Sequence, residues 1–129
     1  MRQMKKLLYI FLAVLSLGIL TGCGSSDYTN ISNDELKTML ADGNYQFIDV
    51  RTSEEFYDEK VPGFLINIDY YQLEDDYSML DKLDKDTPVV IMCNSGNRSV
   101  SASKIFVKEG FAEVYNLTNG IQGWDGETE

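Results

Sequence analysis

The chain has 129 residues, enough for one domain with a modest core and too few for two. It carries 11 basic and 21 acidic residues and no histidine. That balance excludes the basic footprint of a nucleic-acid binder, and the missing histidine excludes Ser-His-Asp or Cys-His catalysis within the chain and any His-ligated metal.

In chain order, Met1 to Lys6 holds Arg2, Lys5 and Lys6, and the apolar run Leu7 to Leu20 follows, ending in "LTGCGSS". A basic start, an apolar middle and small residues are the parts of a secretory signal. The run is shorter than the roughly 20 residues a membrane span needs. Leu20-Thr21-Gly22-Cys23 resembles a bacterial lipobox. The resemblance implies cleavage before Cys23, lipid on that cysteine, and a protein held outside the cytoplasm on a bacterial membrane; several acyl chains would give stable anchoring. The chain then divides into a signal (1–22), a lipidated N-terminus with a small polar tether (23–30) and a domain (31–129). Beyond residue 22 there remain 8 basic and 21 acidic residues, a net −13. So acidic a body serves solubility and does not dock on anionic lipid, which leaves the anchor as the one membrane contact. With Cys23 modified, Cys93 is the single thiol, and no internal disulfide forms.

"ISNDELKTMLADG" opens with Ser32 and has Glu35 three residues on, a capping box, and Gly43 stops the helix. "YQFIDV", Tyr45 to Val50, predicts a strand, and "SEEFYDEK" a short helix with Ser53 as N-cap. After the Pro62-Gly63 turn, "FLINID", Phe64 to Asp69, predicts a second strand. Leu73, Tyr77, Leu80 and Leu83 recur at helical spacing. Pro88 opens the strand Val89 to Met92, Ser99 to Glu109 predicts a helix stopped by Gly110, "AEVYNL" is a further strand, and "GIQGW" a closing turn. Alternating strands and helices imply an α/β fold: a mainly parallel central sheet with helices on both faces. Ligands in such sheets bind beyond the carboxyl ends of the strands, and Cys93 stands at such an end.

After Cys93 come Asn94, Ser95, Gly96 and Asn97, then Arg98 and Ser99 at the mouth of the next helix. Gly96 permits a bend that turns backbone N–H groups inward as an anion nest. The helix start adds unpaired N–H groups and the positive end of a dipole, and Arg98 adds a planar charged fork. All three favour a thiolate nucleophile at Cys93. A buried structural cysteine is the alternative; the glycine, the arginine and the strand-to-helix position count against it.

"CNSGNRS" resembles the active-site loop of single-domain rhodaneses, the sulfurtransferases. "IDVRTSEEF", "VPGFLINID" and "VYNLTNGIQGW" resemble further segments of that family, in its order, over about residues 30 to 125. The departures are Lys60 near the place of a common histidine, Gly63-Phe64 for Gly-Ala, and Asn119-Gly120 for Gly-Gly. The phosphatases and arsenate reductases related to this family place five residues between cysteine and arginine. Here there are four, Asn94 to Asn97, and a smaller ring of N–H groups suits one sulfur atom better than a tetrahedral oxyanion.

The resemblance implies a rhodanese-like sheet of about five strands. It also implies sulfur transfer from a small anionic donor such as thiosulfate to cyanide, a thiol or a protein thiol, through a Cys93 persulfide, with no metal or cofactor. It makes Asn94 to Ser99 the binding loop, Asp49 a support of loop or fold, and Arg51 a second anion contact or one half of a structural ion pair. A non-catalytic binding module and a single-thiol redox sensor at the membrane surface are the competing functions.

Overall fold

The computed structural model describes residues 27–129. The signal, the lipobox and Cys23 lie outside the described residues. Five strands form one sheet: β1 (Thr29–Ile31), β2 (Gln46–Asp49), β3 (Ile66–Asn67), β4 (Val89–Met92) and β5 (Val114–Leu117). Their order is β1-β5-β4-β2-β3, and every neighbouring pair is parallel. The helices are α1 (Asn33–Asp42), α2 (Ser53–Asp58), α3 (Tyr70–Leu73) and α4 (Asn97–Lys108), with a single 3₁₀ turn at Tyr77–Leu80.

β4 shows why the sheet needs cover on both faces. All four of its residues are buried. Successive side chains of a strand point to opposite faces. Val89 and Ile91, with Cys93 next in line, join Ala102, Ile105 and Phe106 of α4, Leu73 of α3 and Leu80 in one apolar cluster. Val90 and Met92 join Leu36 of α1, Phe64 and Ile121 in the other. This is the expected α/β architecture, a parallel sheet with helices on both faces.

The capping box of α1 forms as read, with Ser32 and Glu35 reciprocally bonded and Gly43 in the left-handed conformation at the far end. Elsewhere the structure corrects the boundaries. The tether assigned to residues 23–30 runs into a strand: Thr29 to Ile31 pairs with Tyr115 to Leu117. The N-cap of α2 is Thr52 and not Ser53, because the Thr52 hydroxyl accepts from the Glu55 N–H while the Glu55 carboxylate reaches back. Of the predicted strand Phe64 to Asp69, two residues pair with β2. The helix expected from Leu73 to Leu83 is instead α3 and a separate 3₁₀ turn. Asp69 and Asp76 each cap a new turn, their carboxylates accepting from Tyr71 N–H and Ser78 N–H, and such local side-chain bonds compete with a continuous helix.

Candidate active site

β4 ends at Met92, so Cys93 is carried to the carboxyl edge of the sheet by a strand fixed on both sides, by β2 and by β5. Cys93 is free and 1% exposed. The chain then turns through Gly96, at φ +101°, and enters α4. That turn points the Gly96 N–H at sulfur, donating to Cys93 Sγ at 3.0 Å. The Cys93 thiol donates to Ser99 Oγ at 3.3 Å, and the Ser99 hydroxyl donates in turn to the Gly96 carbonyl at 3.2 Å. Ser99 is fully buried. Cysteine, glycine and serine thus close a small ring in which backbone and hydroxyl both address one sulfur atom.

α1 and α2 close their own N-termini with capping boxes. The N-cap of α4 is a glycine with no side-chain cap bond. The N–H groups of its first turn, at Asn97, Arg98 and Ser99, have no acceptor within the helix and belong to the same loop as the sulfur. They supply the partial positive charge that an anionic sulfur species needs.

The loop is held from behind by a segment whose part was not read from the sequence. Ile121 N–H donates to the Cys93 carbonyl at 2.9 Å and Gln122 N–H to the Asn94 carbonyl at 3.0 Å. Gly120 allows this approach: a Cβ there would lie 2.5 Å from the carbonyl oxygens of both Cys93 and Asn94. A Cβ on Gly96 would fall on the Thr118 carbonyl oxygen, well inside contact distance. "LTNGIQ" is therefore the floor of the site, and the signal for it was the glycine itself, which marks a close backbone approach.

This geometry predicts a contrast between two glycines of similar φ. Gly43 is also left-handed, at φ +78°, but a Cβ there meets open space. Gly43→Ala should cost about 1 kcal/mol, the strain of the backbone alone. Gly96→Ala should cost about 2–4 kcal/mol, since the clash with Thr118 adds to the strain, and should also reduce activity per folded molecule. Equal shifts in the urea midpoints of the two variants would remove the claimed contact.

Arg98 lies in the first turn of α4, but its terminal nitrogens are already engaged. They donate to Glu55 Oε1 at 2.7 Å and Oε2 at 3.0 Å, a bidentate pair across two helix starts. The guanidinium also lies 5.6 Å from the ring of Tyr71. The hydrogen bond to Glu55 comes first in holding the guanidinium above its ordinary pKa, and Cys93 is a lesser influence on it. In this geometry Arg98 steadies the loop by tying it to the start of α2.

The Glu55 carboxyl is held at about 2, against an ordinary 4.5, chiefly by its bond to Arg98 and also by Thr52. A carboxyl pKa lowered by folding stabilises above the unfolded value, and this is lost as pH falls from about 4.5 towards 2. The Glu55 side chain is 33% exposed, so solvent screening limits the effect to about 1 kcal/mol. Wild type should exceed Glu55→Gln in urea midpoint at pH 7, and the gap should close by about pH 2. A gap independent of pH would show that the charge of Glu55 plays no part.

Arg51 does not reach the loop surface. It is 4% exposed, and Asp49 is fully buried. The Arg51 guanidinium donates to Asp49 Oδ2 at 2.7 Å through Nη2 and to both carboxylate oxygens at 3.1 Å through Nε. It also donates to the backbone carbonyls of Glu55 and Glu59. Of its two expected roles, the geometry gives the structural ion pair and not the anion contact, because these protein acceptors hold the guanidinium in the interior. Asp49 accepts from the Arg51 backbone N–H as well and so fixes the chain where β2 leaves the sheet. Asn94 and Ser95 lie between β4 and α4, and Asn97 is the first residue of α4.

The parallel α/β domain thus places a free cysteine at a strand end, with a backbone N–H on its sulfur and an open helix start behind it. The chain matches the model of the rhodanese-like domain over residues 32–127 and belongs to that family. Among curated relatives it is similar to thiosulfate sulfurtransferase GlpE of Pseudomonas aeruginosa, 29% identical over 100 residues, with 78% of this chain and 86% of that protein covered. YrkF of Bacillus subtilis is 30% identical over 106 residues and longer: 81% of this chain covers 55% of it. A solved rhodanese-like domain protein from Staphylococcus aureus superposes with a TM-score of 0.66 at 28% identity, covering 77% of this chain and 93% of that one. At the family level, these likenesses support sulfur transfer.

Proposed function

We propose that the protein is a sulfurtransferase that moves sulfane sulfur from a small donor, thiosulfate being the assay donor, to a thiophilic acceptor through a persulfide on Cys93. The observation that carries this is the Gly96 N–H aimed at Cys93 Sγ, at 3.0 Å, beside the uncapped start of α4. Attack by Cys93 thiolate on the outer sulfur of thiosulfate forms one S–S bond and breaks another, and sulfite leaves with the electron pair. The terminal sulfur of the persulfide carries negative charge, and N–H groups preorganised around it stabilise that charge without having to reorganise. Cyanide or a thiol then takes the sulfur and restores the thiolate, a two-step covalent cycle with ping-pong kinetics.

Incubation with thiosulfate should add one sulfur to the intact mass, cyanide should remove it as thiocyanate, and the added sulfur should map to Cys93. No added sulfur with any donor tested would sink the proposal. A redox relay would need a resolving cysteine, and Cys93 is the one free cysteine among the described residues; this supports transfer over redox sensing. The lipobox-like Leu20 to Cys23 supports a setting for this chemistry on a lipid tether outside the cytoplasm, which globomycin-sensitive processing and radiolabelled palmitate on Cys23 would test.

A further inference from the structure

The cation nearest in sequence to the reactive sulfur is neutralised. Arg98 is the one basic side chain in the loop between Cys93 and Ser99, its terminal nitrogens are engaged by the two oxygens of Glu55, and the Tyr71 ring lies beside its guanidinium. The other arginine among the described residues, Arg51, is buried on Asp49. Among the described lysines, Lys37 is paired with Asp125, Lys60 lies over the Phe56 ring and Lys108 over the Tyr77 ring; none of Lys82, Lys85 and Lys104 falls in the loop. The body beyond residue 22 carries a net −13. A dianion that approaches Cys93 meets partial charges from N–H groups, a neutral ion pair and a repulsive overall field.

We infer that Glu55, by closing on Arg98, is a specificity-determining residue that sets this site against dianionic sulfur donors and favours donors with no more than one negative charge at the transferring group, an organic persulfide being one such carrier. This inference rests on the sulfurtransferase reading above. Tyr71, 53% exposed beside Arg98, presents an aromatic surface to the organic part of such a carrier. The transfer balances without an oxidant: Cys93 thiolate bonds to the outer sulfur of R–S–SH, the donor S–S bond breaks, and R–S⁻ leaves with the electron pair, the proton staying on the transferred sulfur.

The test uses two donors that react alike and differ by one charge. Thiosulfate and methanethiosulfonate each give up their outer sulfur, leaving sulfite or methanesulfinate, with cyanide as the acceptor for both. The readout is the ratio of their kcat/KM values in wild type and in Glu55→Gln, so that intrinsic reactivity cancels. Glutamine keeps the capping-box acceptor of α2 and releases the charge of Arg98. The ratio should move towards thiosulfate by about tenfold in the variant; an unchanged ratio overturns the inference. Salt provides a check that needs no variant. Raising ionic strength should raise wild-type kcat/KM for thiosulfate more than for methanethiosulfonate, since screening relieves repulsion; a flat or falling thiosulfate dependence also overturns it. If neither donor loads sulfur on wild type, the sulfurtransferase reading fails instead, and the mass of Cys93 tells the two failures apart.

Discussion

Cys93→Ser is expected to lower thiosulfate-to-cyanide transfer by about a thousandfold or more, to the background of the assay, while leaving the fold in place. Serine is close in size to cysteine, and the groups around it, the Gly96 N–H and the Ser99 hydroxyl, bond to oxygen as readily as to sulfur. The urea midpoint should therefore move little. A hydroxyl does not form the persulfide, so the added sulfur should vanish from the intact mass. Retained activity in this variant would move the chemistry elsewhere. Wild-type protein that takes up no sulfur, with Cys93→Ser indistinguishable from it, would favour the binding-module reading.

Asp49→Asn is expected to destabilise by about 3–5 kcal/mol, the cost of leaving Arg51 charged and unpaired in a dry interior. Asp49 is fully buried and Arg51 4% exposed, so water offers little compensation. A double variant, Asp49→Asn with Arg51→Met, should recover part of the loss, because removing both charges costs far less than removing one. Recovery should stay incomplete, since the Glu55 and Glu59 carbonyls lose the Arg51 donors as well. Denaturant midpoints of the two variants check this. A raised donor KM in the double variant, with stability restored, would return Arg51 to the donor site.

What was legible in the sequence was local. The capping box and terminal glycine of α1 lie within thirteen residues of one another and depend on no distant partner. The cysteine, the glycine bend and the helix start of the site are likewise contiguous. β1 was not legible, since "TNI" has the composition of a tether and becomes a strand only by pairing with β5. The break between α3 and the 3₁₀ turn was hidden because the apolar spacing suits one helix, while the caps at Asp69 and Asp76 suit two turns. In the site, Arg98 was legible as a charge but its state was not. Glu55 stands 43 residues away, and nothing local distinguishes a free guanidinium from a paired one. The backing of the loop by Gly120 to Gln122 was likewise a matter of distant backbone approach.

The strand order has a consequence for the order in which the chain can assemble. β2, β3 and β4 are consecutive in the sequence and adjacent in the sheet, so they can pair while synthesis continues. β1 is made first, yet its partner β5 is made last; Asn30 and Asn116, bonded across that seam, stand 86 residues apart. Closing so long a loop is entropically costly and slow. Until Val114 to Leu117 arrives, the edge of β4 that β5 will cover is an unpaired row of "VVIM" backbone. Such an edge recruits other strands. A fragment that stops short of Val114 should therefore aggregate, even though it still carries Cys93 and its loop.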